Sequence, residues 1–323
     1  MCTKEQLEEK QISLYVIVLV TAVGFGLFVP DLAGRLDVMI SLIIAILMYS
    51  MFSQIPFASL KKSFGNRRFL GALLTVNYIA VPIVVWLLSK LLPEYPPLLL
   101  GVYLVLLTPC IDYVIVFTSL GRGNEKLLLM ATPILFVTQM LLLPLYLWLF
   151  MGRKAIGIVE SGPFFEAFFG LIVIPLSIAI IVQLFAKKAS TVDKILNSSA
   201  WLPVPFMALT LFVVVTSQIG KLSNHLDLII KVIPIYIAFM IIMPIISRFF
   251  ARLFNLDIKT GRSLIFGGAI RNSLVVLPLA LALPDGVNTL VAAIIVSQTI
   301  VELIGSLIYI RLIPNLLLPD RTT

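Results

Sequence analysis

An all-α polytopic membrane protein is what this 323-residue sequence predicts, and three observations carry the prediction. Hydrophobic residues fill 60% of the positions and charged ones 12%, more apolar surface than a soluble domain can hide. The apolar residues come in runs of roughly 17–25, the length a helix needs to cross a bilayer. Lys and Arg gather in alternate gaps between those runs, as they do where cytoplasmic loops hold the positive charge. The net charge of +8 belongs to those loops, so the expected surroundings are membrane lipid, with no nucleic-acid partner.

Ten spans are predicted, near residues 12–30, 36–55, 69–92, 97–120, 127–151, 163–186, 200–219, 227–247, 263–283 and 289–312. The segment Met1 to Lys10 is mixed in charge, so the first span reads as a membrane helix and not as a removable signal peptide. Counted by alternating gaps, 17 basic residues fall on one side: Lys4, Lys10, Lys61, Lys62, Arg67, Arg68, Arg122, Lys126, Lys187, Lys188, Lys194, Arg248, Arg252, Lys259, Arg262, Arg311 and Arg321. Arg35, Lys90, Arg153, Lys154, Lys221 and Lys231 make 6 on the other, near the span ends, and Arg271 alone stays deep inside the membrane. This split sets both termini in the cytoplasm and supports an even number of spans. Cys2 is terminal and Cys110 is at membrane depth, which makes a disulfide between them unexpected.

The halves of the chain echo each other, about 11–152 against about 163–313. Ser53-Gln54-Ile55 ends span 2 and Ser217-Gln218-Ile219 ends span 7; Tyr78-Ile79-Ala80 in span 3 matches Tyr236-Ile237-Ala238 in span 8. Aligning Tyr146 with Tyr309 sets Gln139 of span 5 against Glu302 of span 10. Each match is short, but all keep one order, five spans apart. An odd number of spans per half gives the halves opposite topology, an inverted five-helix repeat. The chain 1–323 reads as a single transporter domain.

Spans 4 and 9 become equivalent in this repeat, and both are broken. Thr108-Pro109-Cys110-Ile111-Asp112 interrupts the apolar run from Leu98 to Leu120, and Arg271-Asn272-Ser273 that from Leu264 to Leu283. Pro109 removes a backbone donor and clashes with the preceding turn; alone it would be an ordinary proline kink. The charges alter that reading. A carboxylate at Asp112 or a guanidinium at Arg271 is costly in hydrocarbon unless paired or wet. An Asp112–Arg271 pair is therefore expected, either as a fixed salt bridge or as a pair that opens for a solute or proton. Two interrupted helices with ionisable groups near their midpoints are a sequence sign of a transporter's substrate site.

Glu302 lies about ten residues inside span 10, where a carboxyl group is either a neutral acid bonded to a neighbouring helix or a proton carrier. Cys110 is either a small packing residue or, two residues from Asp112, a soft ligand for a thiophilic element. Asn77, Thr132, Asn272, Ser273 and Gln298 add uncharged polar groups at similar depth, and Thr132-Pro133 is expected to interrupt the start of span 5. Glu166 reads as a surface residue, Trp86, Trp148 and Trp201 as an interfacial belt, and His225 as a loop residue without a metal partner.

At these residues the chain resembles the bile acid:sodium symporter superfamily, and within it the arsenite efflux permease branch of bacterial arsenic resistance proteins. The telling stretches are Thr108-Pro109-Cys110-Ile111-Asp112-Tyr113, Leu120-Gly121-Arg122-Gly123-Asn124, Arg271-Asn272-Ser273-Leu274 and Gln298-Thr299-Ile300-Val301-Glu302. The resemblance implies ten helices in inverted repeats, broken helices 4 and 9 that cross, and core and panel domains. It also implies export of trivalent arsenic, in some members antimony, in exchange for protons across the bacterial inner membrane. The family's span-4 cysteine and span-10 glutamate, the residues tied to activity, fall on Cys110 and Glu302. Sodium-coupled members carry Ser-Asn where this chain has Val114-Ile115, a glutamate near Gly267, and a sodium-holding glutamine where Arg271 stands. Losing those ligands for a fixed cation argues against sodium. Many arsenite permeases have a basic residue where Pro109 precedes the cysteine.

The first expectation is thus a proton-coupled arsenite exporter in which Cys110, Asp112, Arg271, Asn272 and Ser273 meet the solute, Glu302 and Asp112 handle the proton, and Pro109 breaks the helix. A rival is a carrier of a small organic anion held by Arg271 and a half-helix N-terminus. An intramembrane enzyme is disfavoured, since the chain has one histidine and no His-Glu metal cluster or phosphate motif. No cofactor is expected.

Overall fold

The computed structural model describes residues 4–28, 30–57, 65–152, 166, 168–186, 201–222, 226–284 and 286–320, and every regular element among them is a helix. Cys2, Lys61, Lys62, Arg153, Lys154, Lys187, Lys188, Lys194, His225 and Arg321 lie outside the described residues, as do the side chains of Lys4, Lys10, Arg35, Gln218, Ile219, Lys221 and Leu274. In chain order the helices are α1 (Lys4–Phe28), α2 (Pro30–Phe52), α3 (Arg67–Ser89), α4 (Pro96–Leu106), α5 (Val114–Leu120) and α6 (Glu125–Met151). There follow α7 (Phe168–Ala186), α8 (Pro203–Leu222), α9 (Leu226–Leu253), α10 (Ile258–Ala269), α11 (Ser273–Leu281) and α12 (Val287–Leu317). Of these, α3, α6, α7, α9 and α12 are each long and apolar enough to cross a membrane.

Starts are set by side chains that accept a bond from an otherwise unpaired amide. Asn66 Oδ1 takes the N–H of Phe69, Asn124 Oδ1 that of Leu127, and Asp257 Oδ1 that of Thr260. The first two helices meet more tightly than expected, with α1 ending at Phe28 and α2 beginning at Pro30. Proline suits a first helical position, and Arg35, expected in a loop, falls inside α2.

The chain divides into two compact units. One comprises Met1–Ala58, Val159–Leu226 and Leu277–Ala293; the other comprises Ser59–Ile158, Asp227–Val276 and Ile294–Thr323. In the first, α8 packs on α1 and α2, Phe25 lies 5.7 Å from Phe212, and the Gln183 amide donates to the carbonyls of Phe52, Ser53 and Ile55. That amide closes the C-terminal end of α2, where Phe52 O also takes the Ile55 N–H at 3.2 Å.

In the second unit, α4 and α10 are buried on nearly every side, as expected of α4, a helix apolar all round. The helices around them leave large apolar side chains exposed in stripes of helical period. On α9 these are Ile237, Ile241, Ile245, Phe249 and Leu253, and on α3 Ile79, Ile83 and Leu87. Such patches belong against lipid, and Trp86, Trp148 and Trp201 are exposed as an interfacial belt requires. Glu166 is exposed as well.

Prolines inside these helices leave carbonyls without their usual donor, and hydroxyl groups replace it. Pro82 cannot donate to Tyr78 O, which takes the Tyr146 hydroxyl at 2.6 Å. Pro244 cannot donate to Met240 O, which takes the Tyr309 hydroxyl. Pro133 cannot donate to Leu129 O, which takes the Thr132 hydroxyl at 2.8 Å. This last bond corrects the expectation that Thr132-Pro133 interrupts span 5: α6 runs through both without a break.

Candidate functional site

The backbone between α4 and α5 and that between α10 and α11 lie against each other as an antiparallel bridge centred on Pro109 and Arg271. Cys110 N–H donates to Ile270 O at 3.3 Å, and Asn272 N–H donates to Thr108 O at 2.8 Å. Each break thus supplies partners that the other lost by leaving the helix, which is how non-helical backbone survives away from water.

The end of α10 follows the same logic. Ile270 N–H closes the last turn on Phe266 O. The next two amides, which would continue the helix, turn elsewhere: Arg271 N–H donates to Glu302 Oε2 at 2.6 Å and Asn272 N–H to Thr108 O. Gly267 O and Gly268 O are left open, and the Arg271 guanidinium folds back onto them. Its Nη2 lies 3.3 Å from Gly267 O, 2.8 Å from Gly268 O and 2.8 Å from Asn77 Oδ1. The ring of Phe239 stands 5.6 Å from the guanidinium carbon. Asn77 sits in a π-helical turn of α3, Val76–Ala80, a distortion common at functional positions. Its amide also donates to Leu73 O and Gly267 O.

The expected Asp112–Arg271 salt bridge is not formed. Asp112 Oδ1 instead accepts the Cys110 thiol at 2.8 Å and the Tyr113 N–H at 2.7 Å, and its Oδ2 has no partner among the described residues. The guanidinium reaches back along its own helix to carbonyls at the negative end of the helix dipole, which offset its charge without a carboxylate. Among the described residues its Nε and Nη1 are without partners, as are Asn272 Nδ2 and Gln298 Oε1.

Glu302, fully buried on α12, receives three donors. Tyr113 O–H meets Oε1, while Arg271 N–H and Gln298 Nε2 meet Oε2 at 2.6 Å each. The Tyr113 hydroxyl also lies 3.0 Å from Arg271 O, so its single hydrogen has two acceptors to choose between. Asn272 Oδ1 caps α11 by accepting the Val275 N–H, and Ser273 Oγ accepts the Thr299 hydroxyl at 2.7 Å. Cys110, Asp112, Arg271, Asn272, Ser273 and Glu302 therefore lie in one network around the paired breaks. Tyr113 is the member that sequence reasoning passed over; a buried phenol directly after Asp112, needing a partner for its O–H, was the available signal.

Two glycines let α10 approach its neighbours. A Cβ on Gly268 would stand 2.6 Å from both Ser247 Oγ and Val76 Cγ1, and one on Gly267 would stand 3.0 Å from Leu128 and Leu73 side chains. Leucines thus fill the space beside Gly267, where the sodium-coupled pattern has a carboxylate.

Opposed helix breaks around buried ionisable groups, carried by helices with lipid-facing stripes, are the build of a multi-pass membrane transporter. The chain belongs to the Sodium Bile acid symporter family, whose model matches residues 41–225. It is also similar to the arsenical-resistance protein Acr3 of Corynebacterium glutamicum, with 30% identity over 131 residues. That match covers 36% of this chain and 35% of the relative's length.

Proposed function

We propose that this protein exports arsenite from a bacterial cell in exchange for protons. The reading takes the whole chain as one transporter domain of ten membrane helices in two inverted repeats, with both termini cytoplasmic. Spans 3–5 and 8–10 form a core that moves against a panel of spans 1, 2, 6 and 7. The division of the chain into two compact units supports that arrangement. So do matched bonds in the two halves: Tyr78 O–H donates to Leu135 O as Tyr236 O–H does to Ile294 O, and Tyr146 and Tyr309 each serve a carbonyl orphaned by a proline.

The observation that carries the substrate is Cys110, a buried thiol at the paired breaks whose S–H rests on Asp112. A thiol is a soft ligand suited to trivalent arsenic, and a single one gives an exchangeable contact. At neutral pH arsenite is an uncharged hydroxide, and unpartnered Asp112 Oδ2, Asn272 Nδ2 and Gln298 Oε1 are open to its hydroxyl groups. The proton is carried at Glu302. When its Oε1 takes a proton, Tyr113 can accept from it and turn its own hydrogen to Arg271 O, so the exchange needs no movement of heavy atoms. A second reading, a carrier of a small organic anion, is favoured by Nε and Nη1 of Arg271, which have no partner among the described residues. Cys110→Ser separates the two. Arsenite export from cells or vesicles falls with that change on the first reading, and a carboxylate competes for the site on the second.

A further inference from the structure

Gln139 sits on α6 with 1% of its surface exposed, and neither its Oε1 nor its Nε2 has a partner among the described residues. A buried amide left in this way is costly, and such groups in a folded protein ordinarily have something to bond. The relation between the two halves explains why the protein supplies nothing. The hydroxyl of Tyr146, seven residues after Gln139, serves the carbonyl orphaned by Pro82; that of Tyr309, seven residues after Glu302, serves the carbonyl orphaned by Pro244. At the breaks, the bonds from Cys110 N–H to Ile270 O and from Asn272 N–H to Thr108 O relate Pro109 to Arg271. On the inverted-repeat reading, Gln139 therefore flanks Pro109 as Glu302 flanks Arg271.

Each donor that meets Glu302 is missing from its counterpart in the first half. Arg271, whose N–H meets Glu302, corresponds to Pro109, which has no N–H. Tyr113, four residues after Pro109, corresponds to Val275, and Gln298, four residues before Glu302, corresponds to Leu135. Val275 and Leu135 are fully buried apolar side chains, and Leu135 O is occupied by the Tyr78 hydroxyl. One half thus completes its polar group from within, while the other leaves a donor and an acceptor open. We infer that Gln139 is a solute-binding residue whose amide holds an uncharged, hydroxyl-bearing solute on the Pro109 side of the paired breaks. The inference rests on the reading of the protein as an arsenite carrier and adds a second, uncharged hold to the thiol. A hydroxyl both donates and accepts, so it satisfies Oε1 and Nε2 together; an ionised carboxylate only accepts and leaves Oε1 bare. Gln139 therefore selects for the neutral hydroxide against a small organic anion. Its amide takes up no proton, so the coupling stays with Glu302.

The test compares purified full-length wild type and Gln139→Leu, in detergent for thermal unfolding and in proteoliposomes for arsenite flux under an imposed pH gradient. Because no bond within the protein is lost, Gln139→Leu should unfold at or above the wild-type temperature. Its half-saturating arsenite concentration should rise about tenfold, the worth of two ordinary hydrogen bonds. Added arsenite should protect it against thermal unfolding correspondingly less than it protects wild type. Flux at high arsenite should still follow the pH gradient. Wild-type half-saturation in Gln139→Leu overturns the inference, since something other than the solute, such as a resident water, then meets the amide. A folded Gln139→Leu that unfolds well below wild type overturns it too, because the amide then has a partner in the protein. If Gln139→Leu yields no folded protein, Gln139→Asn, whose amide is drawn back by one carbon, decides. Raised half-saturation at wild-type stability upholds the inference, and unchanged half-saturation overturns it. A wild type that moves no arsenite refutes the arsenite reading and this inference with it, a result distinct from a transporting wild type beside an unaltered variant.

Discussion

Replacing Glu302 by glutamine should leave the fold intact and abolish proton-driven transport, whereas alanine should cost the fold as well. The Glu302 carboxyl accepts from Tyr113 O–H at one oxygen, and from Arg271 N–H and Gln298 Nε2 at the other. With its amide oxygen at the Oε2 position, a glutamine keeps the last two donors. Its NH2 then faces Tyr113, whose hydroxyl can accept and pass its own hydrogen to Arg271 O, 3.0 Å away. What is lost is charge assistance, about 1 kcal/mol for each of the two bonds, or about 2 kcal/mol in all, partly offset because no carboxylate is buried. Alanine strands the Arg271 and Gln298 donors at about 1–3 kcal/mol each and leaves a cavity besides. Glu302→Ala should therefore lie about 2–4 kcal/mol below Glu302→Gln. Thermal unfolding in detergent ranks the two variants, and proteoliposomes under an imposed pH gradient read transport. Wild-type gradient-driven transport by Glu302→Gln refutes the reasoning, as does a Glu302→Ala protein equal in stability to the glutamine variant.

Gly268→Ala should impair transport more than stability. Its Cβ would press on Val76, which has one favoured rotamer in a helix, at a cost of about 1–3 kcal/mol, and would push aside the carbonyl that holds Arg271; transport and thermal unfolding measured together check this. Thr132→Val should lower stability by about 1–2 kcal/mol by stranding Leu129 O beside Pro133, with Thr132→Ser recovering most of it in the same unfolding assay. Near the C-terminus, buried Arg262 donates to Leu318 O, Arg122 O and Asp320 Oδ1. Because Asp320 is 62% exposed, Asp320→Ala should cost about 1 kcal/mol or less. Arg262→Met, which removes all of these part-buried bonds at once, should cost more than Asp320→Ala in denaturation of the purified protein.

The helices were legible because hydrocarbon demands long apolar runs and the loops between them carry the charge. The breaks were legible because Pro109, Asp112 and Arg271 violate that demand. What the residues themselves could not give was the pairing of charges. Sequence logic joins Asp112 to Arg271 because two opposite charges in lipid should meet; it cannot see that a break frees Gly267 O and Gly268 O within reach of the arginine's own side chain. Thr132-Pro133 misled for a related reason: proline predicts a lost bond, and only the fold shows the Thr132 hydroxyl taking the place of the missing N–H. Tyr113 escaped notice because a tyrosine in an apolar run looks like packing until its hydroxyl is found between Glu302 and Arg271 O.

The central claim, that a thiol at the paired breaks receives arsenite, is tested most directly by arsenite flux in proteoliposomes carrying wild-type or Cys110→Ser protein, with proton and sodium gradients imposed separately. The serine hydroxyl can donate to Asp112 as the thiol does at 2.8 Å, so the substitution removes sulfur while sparing the bond. Wild-type protein should move arsenite under the proton gradient and be indifferent to sodium, and the serine variant should lose that flux. Undiminished arsenite flux through Cys110→Ser would contradict the claim, as would a wild-type protein that moves a small carboxylate but no arsenite.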